Sequence, residues 1–456
     1  MHDKINEYVN VLCQQIRWKK ARGRVAEEMT THILDGRDAY IEQGLDEQAA
    51  TAQAITDTGD AAMLGTNFDR IHRPKPQWGM LIAVAVLLAI GIIASALLPT
   101  PPFQYDGGLQ RRLIFTAIGV AVMFGTYFLD FTIIGKYSKF IWVVVDIITI
   151  ILVVLPPSGV GLSNMWLVFS SRIVVSFTNI LIFTLLFPLA FVSLIFALRN
   201  TGVKGIIAAV AQYGWLCFVA SVVSFGTGLF HFWVIGFAIL IIAIMKNWFG
   251  VNRVVGVLMS VIPFAAVGLF AGGGAGIMRW RIAINPLNDP LGLGFVGNMT
   301  RQLLSNARWF GAGSIEIRDQ TFYYAHYILP EAVSNSLLTS LIFRHGWLPF
   351  IAIVCVLVAF MAAGFRRCFK QRSGLGFFVS FAVMATFSLQ VVTYVAFNLG
   401  FTLTVITLPL ISPGNAALLV NMGLVGFMLS VFRTGDAVTD KASQHTKPSK
   451  LFDMMA

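Results

Sequence analysis

The sequence predicts an all-α, polytopic integral membrane protein with a small soluble helical domain at its N-terminus. Hydrophobic residues make up 57% of the 456 residues and charged residues only 12%, and a soluble domain does not have this composition. Apolar runs of about 18 residues or more, long enough to cross the hydrocarbon layer as helices, recur from Trp78 onward. Residues 1–77 are instead polar and amphipathic.

The first 77 residues are predicted to fold as a cytoplasmic helical domain. Its four helices are expected near 4–22, 24–43, 47–57 and 61–71. An apolar face at helical spacing consists of Val25, Met29, Ile33 and Tyr40. Gly44 suits the C-terminal cap of one helix and Asp46 the N-cap of the next. Gly59 and Asp60 repeat this pattern of stop and start.

Two stretches of this domain, HILDGRDAYIEQGLDEQAA (32–50) and TGDAAML (58–64), are similar to the helical prefix domains that precede some membrane proteins of Gram-positive bacteria. The resemblance implies a domain that recruits a cytoplasmic partner. The alternative is a domain that packs on itself and only aids membrane insertion or stability. Its residues include no catalytic constellation.

The rest of the chain is predicted to be a membrane domain over 78–433, followed by a cytoplasmic tail over 434–456. Ten spans are expected at 78–98, 112–130, 139–155, 173–198, 205–223, 225–245, 254–271, 337–364, 374–397 and 414–432. Lys and Arg in the short loops predict the orientation, because basic residues resist translocation. They concentrate in the connections that follow even-numbered spans. Both termini are therefore expected in the cytoplasm, with the loop 272–336 outside.

Charge and cysteine content exclude several functions. The net charge of +11 does not lie in the soluble domain, so it predicts basic loops against anionic lipid rather than a nucleic-acid surface. Two cysteines, Cys13 and Cys368, are expected in the cytoplasm, and the other two, Cys217 and Cys355, inside spans. No disulfide is therefore expected outside the cell. No Cys/His spacing indicates a metal site.

The connection 272–336 is predicted to be functional, because about 65 residues exceed the length of a simple connector. It contains five arginines, whose planar donors suit the phosphate oxygens of a lipid diphosphate: Arg279, Arg281, Arg301, Arg308 and Arg318. The alternative is that they reach lipid headgroups or pair with the nearby acidic residues Asp289, Glu316, Asp319 and Glu331.

Two ionisable residues are expected within spans, where a charge is costly and often functional. Asp146 falls near the middle of the third span and His231 inside the sixth. Proton coupling and hydrogen bonding between helices are the two interpretations of these residues.

Five stretches of the membrane region have recognisable motifs. They are RIAINPLNDPLGLG (281–294), FGAG (310–313), LPEA (329–332), NLG (398–400) and LPLISPGNAALLVN (408–421). On these motifs the chain, over roughly 78–433, is identified as a member of the SEDS family (shape, elongation, division and sporulation), which comprises the FtsW/RodA/SpoVE proteins of bacterial wall synthesis. Ten spans and a large fourth outer loop are also the plan of that family.

The resemblance implies a glycosyltransferase of the bacterial cell membrane that polymerises lipid II, an undecaprenyl-diphosphate-linked disaccharide peptide. It also implies partners: a class B penicillin-binding protein and divisome or elongasome proteins. The reaction needs a base for the acceptor hydroxyl and cationic groups for the leaving diphosphate. No cofactor is expected; a divalent cation would fit this chemistry, but the sequence does not indicate one.

In the family the base is the Asp of an LPEAHTDF motif, and the register places Asn335 at that position. Because asparagine is not a general base at neutral pH, the candidate base is Glu331, one helical turn earlier. Alternatively, Glu331 caps the next helix or pairs with an arginine, and Asn335 is an N-cap residue. The motifs also imply substrate-binding residues: Arg281, Asp289, Arg308, Pro409, Ser412, Gly414 and Asn415.

Further departures from the family pattern indicate a divergent active site. The outer loop between the third and fourth spans keeps Trp166 but lacks the paired arginines and the Glu of the family. In the last motif Pro413 replaces Tyr, and Asn415 and Ala416 replace Gly and Ser. Gly414 remains, which predicts a close backbone approach or a positive φ at that position.

Three functions are therefore compatible with the sequence. The first is a lipid II glycosyltransferase with a shifted base. The second is a non-catalytic family member that binds lipid II or a penicillin-binding protein and regulates wall synthesis. The third is a transporter of lipid-linked precursors, in which Asp146 and His231 would be the coupling residues.

Overall fold

The structure is a computed structural model and describes residues 2–98, 108–154, 165–170, 173–177, 180–224, 230–317, 319–329, 332, 334–402 and 407–435. The chain divides into two compact units. One consists of the N-terminal residues up to Pro76 together with those from Phe432 onward, and the other is Gln77–Val431.

Four helices form the N-terminal unit: α1 (His2–Gln15), α2 (Lys19–Glu42), α3 (Glu47–Thr58) and α4 (Ala61–His72). The break between the first two lies at residues 16–18, whereas the sequence predicted it near residue 23. Tertiary bonds explain the shift. The Arg17 N–H donates to Asp69 of α4, at 2.8 Å, and the Arg22 side chain donates to the Ile16 carbonyl, at 2.7 Å. These bonds satisfy backbone groups that helix periodicity alone does not account for.

The caps of this unit lie where the sequence places them. The Asp46 carboxylate accepts hydrogen bonds from the N–H groups of Gln48 and Ala49. Asp60 accepts likewise at the start of α4, and Gly44 and Gly59 both have positive φ, at 94° and 93°. The predicted apolar face is the core of the unit, because Val25, Met29 and Ile33 are buried and Tyr40 packs against them.

The first half of the membrane unit consists of helices and one short hairpin. The elements are α5 (Trp78–Leu97), α6 (Gly108–Phe128), α7 (Ile133–Lys136), α8 (Ser138–Val154), β1 (Met165–Ser170), β2 (Ile173–Phe177), α9 (Ile180–Thr184), α10 (Phe187–Ala197), α11 (Val203–Ser224), α12 (Phe230–Met245) and α13 (Arg253–Ile284). Strands β1 and β2 pair antiparallel, with Met165 opposite Phe177.

The second half contains the long loop and the last helices. The elements are a 3-10 turn (Pro286–Asn288), α14 (Phe295–Ser305), β3 (Ile315–Ile317), β4 (Gln320–Phe322), a second 3-10 turn (Ala325–Tyr327), α15 (Leu337–His345), α16 (Trp347–Phe369), α17 (Gly374–Asn398) and α18 (Asn415–Thr434). Residues of the loop form a hydrophobic cluster with Phe343 of α15: Leu303, Ile315, Ala325, Leu329 and Ala332.

Among the described residues, five helices are long and apolar enough to cross a membrane: α5, α6 from Leu109, α16, α17 and α18. Shorter apolar helices lie at Ile182–Ala197, Val203–Phe218, Phe232–Met245 and Arg253–Ala265. The prediction of a polytopic helical protein is confirmed by these helices.

Three predicted boundaries are wrong. The span expected over 173–198 begins as strand β2 and is split before α10, where Pro188 near the helix start cannot donate to a preceding turn. The span expected over 337–364 is broken at Gly346, which has a φ of 94°. Helix α13 continues to Ile284, beyond the predicted end at 271, despite a run of glycines. Glycine costs a helix only about 1 kcal/mol, whereas unpaired backbone groups in a membrane cost several.

Candidate functional site

The end of α17 binds the segment 334–339, which contains Asn335, where the family resemblance places a catalytic aspartate. Asn398 is buried in the last turn of α17. Its Nδ2 donates to the Asn335 carbonyl at 3.0 Å and to the Tyr394 carbonyl at 2.9 Å. Its Oδ1 accepts from the Thr339 N–H at 2.9 Å, and the Thr339 hydroxyl lies 2.9 Å from the Asn398 carbonyl. One amide side chain thus joins two distant parts of the chain.

Tyr394, one turn earlier on α17, fixes the same segment from a second point. Its hydroxyl donates to the Ser334 carbonyl at 2.6 Å and accepts from the Leu337 N–H at 3.2 Å. Asn398, Tyr394 and the residues they bind within 334–339 are called the Asn398 network below. Because the network binds backbone groups on both sides of Asn335, it sets where that residue lies and how α15 begins.

Of the two predicted catalytic residues, the structure describes Asn335 but not Glu331. Asn335 is half-buried, and its backbone belongs to the Asn398 network. The neighbouring Ala332 is buried, and its carbonyl accepts from the Ser340 hydroxyl at 2.7 Å. Glu331 lies outside the described residues, so its role as a base stays a prediction.

Asp289, a predicted substrate-binding residue, caps its own turn. Its carboxylate accepts from the N–H groups of Gly292 at 3.1 Å and Leu293 at 2.8 Å. A Cβ at Gly292 would collide with that carboxylate, and one at Gly294 with the Pro286 carbonyl. The DPLGLG motif therefore encodes a tight turn that presents the start of α14.

The conformation of this turn predicts the outcome of two substitutions. We expect Gly292→Ala to destabilise the turn by about 1–3 kcal/mol, because the added methyl group displaces the capping carboxylate. Asp289→Ala should cost a similar amount, whereas Asp289→Asn, which keeps an acceptor oxygen, should cost less. Thermal unfolding of the purified variants measures these differences. If Asp289→Ala and Asp289→Asn lost the same stability, the position would require the negative charge of Asp289 and not capping by an acceptor oxygen.

The arginines of the long loop do not share one role. Arg301 donates to the carbonyls of Ala283 and Ile284, at 3.2 and 3.0 Å, and stacks over the Phe401 ring. It therefore caps the C-terminus of α13. Arg281 and Arg308 are exposed. Within the described residues, no ion pair joins these three arginines to an acidic residue, while Arg318 lies outside that set.

The LPLISPG loop is held by a buried arginine, which the sequence predicted to lie in a short connection between spans. Arg112 of α6 is 1% exposed and donates to the carbonyls of Leu410, at 2.6 Å, and Ser412. Gly91 of α5 makes room for it, because a Cβ there would lie 2.5 Å from Arg112 and 2.8 Å from the Ile411 carbonyl. In the sequence, this buried role is indicated by a basic residue at the edge of an apolar span.

Four predicted substrate-binding residues lie in or beside this loop. Pro409 and Ser412 are buried, and Gly414 and Asn415 are half-buried. The predicted close approach at Gly414 is confirmed, because a Cβ there would lie 2.8 Å from the Thr407 side chain. The positive φ falls instead on Leu410, at 66°. The hydrogen bonds that Arg112 donates to the carbonyls of Leu410 and Ser412 hold this unusual backbone conformation.

A small pocket, with room for about one water molecule, adjoins the segment 334–339. It is lined by Leu98, Tyr324, Ala325, His326, Ala332, Ser340 and Arg344. The Arg344 guanidinium stacks on the Tyr324 ring, 4.5 Å from its centre. Burial lowers the pKa of His326 below its ordinary value, so this imidazole is neutral at neutral pH. None of these three polar residues belongs to one of the five sequence motifs.

Comparison with known proteins places this geometry in a family. The family model of the FtsW/RodA/SpoVE cell cycle proteins matches residues 77–436. The chain belongs to this family. It is 24% identical over 377 residues to the stage V sporulation protein E of Bacillus subtilis, covering 79% of this chain and 98% of that protein. Over 182 residues it is 28% identical to a probable peptidoglycan glycosyltransferase FtsW of Thioalkalivibrio sp., which spans 38% of this chain and 43% of that protein.

A solved structure has the same fold. A chain from a peptidoglycan synthase complex aligns with a TM-score of 0.54 at 16% identity, covering 79% of this chain and 98% of that one. Family membership and the five apolar helices show that this SEDS-family chain is an integral membrane protein.

Of the ionisable residues predicted within the spans, Asp146 makes no hydrogen bond to the Asn398 network among the described residues. Asp146 of α8 is half-buried, and its Oδ1 is buried without a hydrogen-bond partner among the described residues. The side chain of His231 lies outside those residues. In the same described part of this SEDS-family chain, no group of three His, Cys, Asp or Glu residues could hold a metal ion.

Proposed function

We propose that this SEDS-family protein acts in peptidoglycan synthesis as a lipid II-polymerising glycosyltransferase with a divergent active site. Support comes from the relatives, one of them named a probable peptidoglycan glycosyltransferase. The observation that carries the proposal is the Asn398 network. It fixes the backbone on both sides of Asn335, the position of the family's catalytic carboxylate, beside a pocket with a cationic group.

The proposed reaction divides its chemistry between two places. Glu331 accepts the proton of the acceptor hydroxyl as it attacks the anomeric carbon, since the Asn335 amide cannot accept it. The leaving lipid diphosphate meets cationic groups, whose charge stabilises the oxygens that become negative. Arg344 in the pocket suits this role, and the exposed Arg281 and Arg308 supply further positive charge.

The proposed topology is that of the sequence analysis: ten spans, both termini in the cytoplasm and the long loop outside. The pocket and the Asn398 network would then face the side on which glycan strands are assembled. The proposed partner is a class B penicillin-binding protein, with further divisome or elongasome proteins. The synthase complex with the same fold supports an assembly of this kind. The N-terminal helical unit would recruit a cytoplasmic partner.

A specific observation favours each of the two alternatives. Asn335 itself favours a non-catalytic member that binds lipid II or the penicillin-binding protein and regulates synthesis. The buried Asp146 oxygen without a partner among the described residues favours transport of a lipid-linked precursor, with proton coupling at this residue.

Polymerisation of labelled lipid II by the full chain, alone and with a class B penicillin-binding protein, tests the proposal. We expect glycan polymer from the wild type and none from Glu331→Gln, because the amide removes the base. Asn335→Asp should raise the rate by restoring the family carboxylate. Asn306→Asp, an exposed position in the same loop, is the control and should leave the rate unchanged.

The other outcomes select an alternative. Polymer from Asn335→Asp but not from the wild type would contradict the shifted base and support a non-catalytic lipid II-binding protein. No polymer from any variant would contradict the glycosyltransferase. In that case, loss of lipid II translocation in Asp146→Asn vesicles would support transport.

A further inference from the structure

The turn after α14 is attached by its backbone to the point where α16 begins. The Trp347 N–H donates to the Arg308 carbonyl at 3.2 Å. The N–H groups of Gly311 and Gly313 donate to the carbonyls of His345, at 3.3 Å, and Phe343, at 2.8 Å. Gly346 allows this approach, because a Cβ there would collide with the Trp309 carbonyl. The turn therefore lies at the same level as the first residue of α16.

The length and charge of α16 place that level at the membrane–water interface. The helix has 23 residues, which at 1.5 Å per residue is roughly 35 Å, slightly more than the hydrocarbon thickness. Arg366 and Arg367 lie in its last turn and mark one headgroup layer. Trp347, at the other end, then lies in the opposite headgroup layer, where tryptophan is enriched.

At this level the turn presents two large aromatic side chains outward. Trp309 is 69% exposed and Phe310 is 72% exposed. Leu348, the second residue of α16, is also exposed. Arg308 beside them is exposed and offers a planar cation. Two adjacent exposed aromatics next to an arginine, at the depth of lipid headgroups, match the chemistry of a headgroup layer: aromatic rings among the upper acyl carbons and a guanidinium at the phosphates.

We propose that Arg308, Trp309 and Phe310 form an anchor that inserts into the headgroup layer and holds the long loop against the membrane surface. Helix α14 and the hydrophobic cluster of the loop connect to this anchor, so it would set the height of the loop above the bilayer. Arg308 would then contact lipid phosphates at the membrane surface.

An environment-sensitive fluorophore on residue 310 tests the anchor. Phe310→Cys is made in the full chain with the four native cysteines replaced, labelled with a nitrobenzoxadiazole maleimide, and reconstituted into vesicles of phosphatidylethanolamine and phosphatidylglycerol alone. We expect blue-shifted emission that is quenched by lipids with a nitroxide near the headgroup, and less by lipids with one at the chain end. Gln320→Cys, an exposed polar position on β4, is the matched control and should report water.

Two results would overturn the anchor. The first is emission from position 310 that equals the control in lipid-only vesicles and is quenched by aqueous iodide. The second is protection that appears only after a penicillin-binding protein is added, which would make this turn a protein-docking surface. Trp309→Cys, labelled in the same way, provides an independent position if the Phe310 variant does not elute as folded protein.

Discussion

Replacing Asn398 with leucine is expected to cause one of the two largest losses of stability in the membrane unit. The substitution removes the acceptor for the Thr339 N–H and the donors to the carbonyls of Asn335 and Tyr394. Each polar group left buried without a partner costs about 1–3 kcal/mol. Because several are orphaned together, the segment 334–339 should separate from α17, and the unfolding temperature in detergent should fall sharply.

Asn398→Asp is the informative companion variant. It keeps the oxygen that accepts from Thr339 but loses the two N–H donors, and it places a charge in a buried site. Because the buried carboxylate would face the carbonyl oxygens of Asn335 and Tyr394, we expect a loss at least as large as that of Asn398→Leu. Tyr394→Phe should cost about 1–3 kcal/mol, because it removes both bonds of the hydroxyl. Unchanged unfolding of Asn398→Leu would contradict a stabilising role for the network.

Adding a single methyl group at Gly91 should displace the LPLISPG loop. The new Cβ would lie 2.5 Å from the Arg112 guanidinium and 2.8 Å from the Ile411 carbonyl. The arginine is buried and the carbonyl belongs to a backbone held at a positive φ, so neither can move without loss of the Arg112 hydrogen bonds. Overpacking of this kind costs about 1–3 kcal/mol, and loss of hydrogen bonds to a charged group adds to it.

Gly125→Ala is the matched control, since that glycine lies on α6 and a Cβ there meets nothing within 4 Å. Unfolding temperatures of the two alanine variants should differ by the cost of the collision. Cleavage of the LPLISPG loop by a protease in detergent should also accelerate only in Gly91→Ala. Equal behaviour of the two variants would show that the loop does not depend on Arg112 remaining beneath it.

The features that local sequence predicts well are those encoded within a few residues. The caps at Asp46 and Asp60, the apolar face of α2 and the close approach at Gly414 all follow from residue type and spacing. The helix breaks at Gly346 and before Pro188 lie within stretches that remain apolar, so each stretch was predicted as one continuous span. The glycines after residue 271 led to the opposite error. They predicted the end of a span, whereas helix α13 continues through them.

The membrane class, the family and the departure at Asn335 all follow from the amino-acid sequence, because hydropathy and linear motifs are encoded in short stretches of chain. What surrounds those motifs depends on how the chain folds. Thr339 and Asn398 are 59 residues apart, and Arg112 and Leu410 are 298 apart. A hydrogen bond across such a separation depends on how helices pack, and periodicity along the chain contains no information about that. The buried position of Arg112 and the pocket at Arg344 were therefore visible only in the folded protein.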